Sequence, residues 1–226
     1  MAADPELIAT VRRGLRELAD PVRAEGLTAY MKSAMPCLGV RVPQVRALVR
    51  TAARSRPPAS TSHVRDTVRR LWRDAEYREE RYAATELLNV PAARKLRAPS
   101  LITLHEELIA TGAWWDHVDE VSHRVGELLL AFPAEVEPVV RSWQRSDDRW
   151  LRRASIICQI GARDRTDLVL LTEAISANAA DRDFFLRKAI GWALRSYAYT
   201  DPDWVRAFVA THDLSPLSVR EAIKHL

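Results

Sequence analysis

The chain has 226 residues and a mass of 25.6 kDa, enough for one large domain or two small ones with a sizeable core. With 47% hydrophobic and 28% charged residues it is no disordered chain, and with only 7 Gly it holds neither a GxGxxG nor a GxxxxGK[ST] phosphate cradle. A net charge of +4 and a pI near 9.3 permit an anionic partner without requiring one.

The helical period runs from end to end. Asp4-Pro5 is an N-cap followed by proline at N1, after which Leu7, Ile8, Val11, Leu15 and Leu18 form one face. Asp20-Pro21 repeats the signal for a helix to about Ser33, and Pro43 opens a third helix that Arg56-Pro57-Pro58 ends. Amphipathic stretches follow at about 62–73, 76–89, 99–111, 114–131, 134–145, 148–160, 166–178, 183–197, 202–211 and 216–225, divided by proline, glycine and aspartate breaks. No segment has the alternating pattern of a strand.

Many short helices with short connections predict stacked helical pairs, and a weak internal repeat supports this. Arg152-Arg153-Ala154, Arg187-Lys188-Ala189 and Arg220-Glu221-Ala222 recur about every 34 residues, and Arg81-Tyr82-Ala83 lies about two periods upstream. The spacing therefore predicts an all-α, HEAT-like helical-repeat solenoid of antiparallel pairs, as a single domain over 1–226, with an irregular bundle as the alternative. Arg152, Arg153, Arg187, Lys188 and Arg220 share one phase of successive units. Such a phase builds either a basic stripe suited to a phosphate backbone or a row of interhelical salt bridges to Asp147, Asp148, Asp181 and Asp183; spacing alone leaves both open.

Seven tryptophans are many for this length. Trp72, Trp143 and Trp204 fall at apolar helical phases and read as core. Trp114 and Trp115 are adjacent and point about 100° apart, so one of them belongs at a surface or cleft. Asp119 stands four residues after Trp115 on the same helical face. A carboxylate near a helix start has a structural role of its own. Beside an indole it can also stabilise a cationic, sugar-centred transition state.

Other chemistries lack material. Glu120-x-x-His123 is a lone ExxH, no HExxH occurs, and no metal is expected. There is no GxSxG, and Cys37 and Cys158 form neither a metal spacing nor a disulfide framework, which suits a reduced, cytoplasmic chain. Of the 34 basic residues only Lys32, Lys95, Lys188 and Lys224 are lysines, so a Schiff base has little choice. No apolar run approaches a membrane span.

Six segments carry a more specific signal: AYMKS (29–33), CLGVRVP (37–43), WWDHVDEV (114–121), WLRRA (150–154), FFLRKAIGWALRSYA (184–198) and LSPLSVREAIKHL (214–226). In order and spacing they resemble the bacterial AlkD family of DNA alkylation repair glycosylases. The resemblance implies stacked HEAT-like pairs curved into a C with a basic concave face. It also implies cofactor-free hydrolysis of the N-glycosidic bond of cationic N3- and N7-alkylated purines in duplex DNA, by a monomeric protein associated with the nucleoid, with no base-shaped pocket beside the aspartate. By the same resemblance Asp119 matches the catalytic aspartate and Trp115 and Trp192 the two cleft tryptophans. Arg153 matches the arginine that contacts DNA beside the aspartate, and Tyr30 an aromatic near the lesion strand; Arg152, Arg187, Lys188 and Trp114 join the expected DNA-binding set. The loop Val40-Arg41-Val42 departs from the polar pair that some members carry before the proline, which leaves its contact with DNA open. A non-catalytic helical-repeat scaffold that binds nucleic acid or protein is the competing class.

Overall fold

The computed structural model describes residues 2–226, and every described element is helical. The chain separates into two compact units, Met1–Leu104 and His105–Leu226.

The first unit is built from α1 (Pro5–Glu17), α2 (Pro21–Met31), α3 (Val42–Ser55), α4 (Thr61–Arg73), α5 (Arg78–Leu87) and α6 (Pro91–Lys95). The Asp-Pro starts behave as predicted. The Asp4 carboxylate accepts from the amides of Glu6 and Leu7, and that of Asp20 from Arg23. Each such cap stabilises its helix by about 1 kcal/mol. Val11, Leu15, Val49, Val68 and Leu71 are fully buried where α1, α3, α4 and α5 meet.

α2 is the exception, since Met31 is its only buried residue. It is held at its N-terminal end, where the Asp20 amide donates to the Leu38 carbonyl at 2.8 Å. Gly39 passes so closely, with φ at +80°, that a Cβ there would collide with the Asp20 carbonyl. That loop is gripped in turn by Glu79. Its buried carboxylate accepts from the amides of Leu38, Gly39 and Val40 at 2.8, 2.7 and 3.1 Å. Val40 is consequently buried, while Arg41 and Val42 remain exposed.

A 3₁₀ turn (Pro99–Leu101) leads into α7 (Ile102–Gly112), which crosses the unit boundary. The second unit continues with α8 (Trp115–Ala131), α9 (Pro133–Trp143), α10 (Arg149–Ile157), α11 (Leu168–Asn178), α12 (Phe184–Ala198), α13 (Pro202–Thr211) and α14 (Pro216–Ala222). Here α8, α10, α12 and α14 pack in succession; α9 lies against α8 and α10, α11 against α10 and α12, and α13 against α12 and α14. This is the stacked helix-pair arrangement that the repeat predicted. Asp148, Asp183 and Ser215 cap α10, α12 and α14, so the Arg-x-Ala phases fall at matching turns of successive helices. Backbones approach closely where α8 crosses α10: a Cβ on Gly126 would run into the Cys158 carbonyl.

Trp72 and Trp143 are buried as expected, and Trp204 stacks on Phe208 at 4.9 Å. The short α6 was not anticipated, because five residues hold little more than one turn and leave no periodicity to detect.

Candidate active site

The candidate residues of the second unit gather on the row α8, α10 and α12. α8 begins at Trp115, so Asp119 stands in its second turn rather than the first, beyond the strongest part of the helix dipole. What holds Asp119 is Arg153 of α10, one repeat away. The Arg153 Nε donates to Asp119 Oδ1 at 2.8 Å and Nη2 to Oδ2 at 2.9 Å, a two-pronged pair. Its Nη1 donates to the Phe185 carbonyl at the start of α12, which ties three successive units together. Arg153 is buried, and the Asp119 side chain is 16% exposed.

Burial pushes the Asp119 carboxyl above the ordinary aspartate range, outweighing the pull of Arg153, which favours the carboxylate; the charge on His123 also favours the carboxylate and that on Asp116 opposes it. The guanidinium of Arg153 lies 6.0 Å from the Trp192 ring centroid, and the His123 ring meets Trp192 nearly perpendicularly at 6.4 Å. Trp115 occupies the first position of α8, four residues before Asp119, and makes no ring contact among the described residues.

The two tryptophans of the WW pair have different settings. Trp114 belongs to an aromatic cluster, 6.1 Å from Trp150 and 5.6 Å from Phe185, with its indole N–H buried and without an acceptor among the described residues. A contact between Trp114 and DNA therefore has no exposed indole N–H to rest on.

Three of the five phased basic residues enter ion pairs. Arg152 pairs with Asp181 at 3.2 Å and Lys188 with Glu221 at 3.0 Å, while Arg153 is taken up by Asp119. Asp148 serves as an N-cap, and Asp183 caps α12 while pairing with Arg149. Arg187 and Arg220 enter no ion pair among the described residues, and the Arg187 Nε is buried without a hydrogen-bond partner among them. The guanidinium expected to reach DNA, that of Arg153, instead donates inward from each of its three nitrogens. Tyr30, in the first unit, is 70% exposed.

Sequence reasoning missed Glu79 and His123. Glu79 sits in an Arg-Glu-Glu run that reads as solvated surface, and the sequence marks His123 only as half of an incomplete metal motif. Among the described residues no group of three His, Cys, Asp or Glu is placed to hold a metal ion. Burial pushes the Cys158 thiol up to about 12, which leaves it protonated and a poor nucleophile at neutral pH. A cavity of about 430 Å³ between Ile156, Gln159, Arg163, Leu171, Ser196 and Tyr197 contains none of the candidate residues.

Stacked helix pairs around an aspartate, an arginine and two indoles define a helical-repeat protein with a compact carboxylate site. Comparison with known proteins gives the family. The profile of the DNA alkylation repair enzymes matches residues 11–226, and the chain belongs to that family, whose work is repair of alkylation damage in DNA. No curated protein matches the sequence. Among solved structures, a predicted DNA alkylation repair enzyme from Enterococcus faecalis is similar, with 26% identity, a TM-score of 0.83 and coverage of 92% of this chain and 96% of that one. AlkD2 from Streptococcus mutans shares the fold at 14% identity and a TM-score of 0.61, covering 89% of this chain and 96% of its own. The protein smu.31 from Streptococcus mutans UA159 does so at 16% identity and 0.62, covering 82% and 92%.

Proposed function

We propose that the protein is a monofunctional DNA glycosylase that removes cationic N3- and N7-alkylated purines from duplex DNA, acting as a monomer through one functional domain over 1–226. The observation that carries this reading is the Asp119 carboxylate, gripped through both oxygens by Arg153, whose guanidinium lies over the Trp192 ring, with Trp115 on its own helical face. An alkylated purine already carries positive charge, so it leaves without protonation, and one of the two carboxylates of ordinary glycoside hydrolysis is dispensable. The barrier that remains is formation of the sugar oxocarbenium ion. Asp119 stabilises that cation and orients water toward the anomeric carbon through oxygen lone pairs that Arg153 leaves free. The Trp115 and Trp192 ring faces stabilise the same charge. Arg153 fixes the carboxylate rather than the DNA.

Arg187 and Arg220 contact phosphates directly. Arg152 and Lys188, 25% and 37% exposed and paired with Asp181 and Glu221, exchange those partners for phosphates when duplex DNA binds. Tyr30 meets the lesion-bearing strand. No cofactor takes part, and the base is not drawn into a pocket.

The test is to incubate methylated duplex DNA with the protein and identify released bases by mass spectrometry. Free 7-methylguanine and 3-methyladenine with abasic sites left behind support the reading. Tight duplex binding with no release supports the alternative, in which the Asp119–Arg153 pair is purely structural and the protein a DNA-binding scaffold.

A further inference from the structure

One titratable side chain at the site has no part in the reading above. His123 lies one turn beyond Asp119 on α8, half-buried, with its ring nearly perpendicular to Trp192 at a centroid distance of 6.4 Å. It is near enough to Asp119 for its charge to act on the carboxylate.

The charges around it are largely spoken for. On α8, Asp119 is bound by Arg153, Glu120 and Glu127 both pair with Arg124, and the charge of Asp116 also acts on Asp119. From α10 the facing charge is Arg153 itself. On α12 the basic residues one turn either side of Trp192 are Lys188 and Arg195, and both are tied to Glu221 of α14, at 3.0 and 2.6 Å. Asp119 and Arg153 together sum to no net charge, so a proton on His123 adds one positive charge beside Trp192.

We propose that His123 is a positioning residue of this site, setting the Trp192 indole through its ring contact, and that its protonation state fixes the charge the site presents to a cationic base. This rests on the glycosylase reading. A neutral imidazole leaves the Trp192 face and the Asp119 carboxylate to the substrate cation. An imidazolium attracts Asp119 as a second cation beside Arg153 and repels a positively charged purine. Histidine is the side chain that makes this change within the physiological range.

The experiment compares wild type, His123→Phe, which keeps a ring against Trp192 but takes no proton, and His123→Ala, which removes both. The first readout is single-turnover release of 7-methylguanine. As the pH is lowered from about 7.5 to about 5.5, the wild-type rate should fall more steeply than the His123→Phe rate. A His123→Phe profile that superimposes on wild type overturns the charge role. His123→Ala should release base more slowly than His123→Phe at the upper pH; equal rates there overturn the positioning role.

The second readout needs no activity. A protonated imidazole quenches a neighbouring indole, so the fluorescence difference between wild type and Trp192→Phe should depend on pH, and that dependence should vanish when both proteins also carry His123→Phe. If wild type releases no base, the glycosylase reading falls. The fluorescence titration then decides alone whether the imidazolium faces Trp192, and its absence overturns the proposal.

Discussion

Replacing Arg153 by alanine is the most informative perturbation of the structure. It removes the donors at 2.8 and 2.9 Å to Asp119 and the bond to the Phe185 carbonyl, and it leaves a carboxylate that is 16% exposed with no cation bound to it. Breaking a buried pair from one side costs about 3–5 kcal/mol, because the remaining charge is uncompensated. With a urea dependence of about 1–3 kcal/mol/M, the unfolding midpoint should drop by one to several molar, on the order of the whole transition of a marginal domain. Six of the seven tryptophans lie in the second unit, so tryptophan fluorescence follows the part of the molecule that holds the pair.

The pH dependence has a definite sign. Burial already places the Asp119 carboxyl above its ordinary value, and loss of Arg153 removes the strongest opposing influence, so the folded value rises further. A carboxyl whose folded value lies above its unfolded value favours folding when protonated; that contribution is full below the unfolded value and is lost as pH rises through the folded one. The stability gap between wild type and Arg153→Ala should therefore widen from acid toward neutral pH, by up to about 1.4 kcal/mol for each unit the folded value rises. Asp119→Asn, whose amide oxygen still accepts one bond from Arg153, should cost less at neutral pH. A gap under about 1 kcal/mol, the size of an exposed ion pair, that is also flat with pH would refute the reasoning.

Glu79→Gln leaves one acceptor oxygen for three amides, so hydrogen exchange at Leu38, Gly39 and Val40 should speed up while stability falls by about 1–3 kcal/mol; unchanged exchange would mean that the loop holds itself. Gly126→Ala should destabilise the α8–α10 crossing by about 1–3 kcal/mol or more, since a backbone carbonyl cannot move aside as a side chain does; a wild-type melting temperature would show that the helices can separate freely. Arg187→Ala and Arg220→Ala should each lower the slope of log affinity against log salt by about 0.9, whereas Arg153→Ala should leave that slope unchanged. The opposite pattern in filter-binding titrations would return Arg153 to the phosphates.

Helix starts were legible because their signals are local. Asp4 and Asp20 carry their own reason for capping, and their carboxylates appear where that reason places them, whereas Asp148 and Asp183, which the spacing offered as ion-pair partners, also cap α10 and α12. The repeat was legible because stacking requires small residues at one phase, and Ala154, Ala189 and Ala222 are all fully buried. Glu79 and Glu80 were not legible, since a charged pair at a helix start looks the same whether it meets water or a neighbouring loop. Asp119 and Arg153 could each be singled out, but a separation of one repeat suits a contact between neighbours as well as two contacts with a common ligand. Only the folded structure shows them bound to each other. Membership of the repair family, in turn, needed the longer strings of residues, because a carboxylate beside an indole occurs in many unrelated settings.

The central claim is that the Asp119 carboxylate stabilises the departing-base transition state. Single-turnover release of 7-methylguanine from methylated duplex DNA, by wild type and by Asp119→Asn at saturating protein, measures this directly. Comparable duplex affinity with a release rate lower by about 10²–10³-fold is the predicted result. Equal rates from the two folded proteins would contradict it and leave Asp119 as no more than the partner of Arg153.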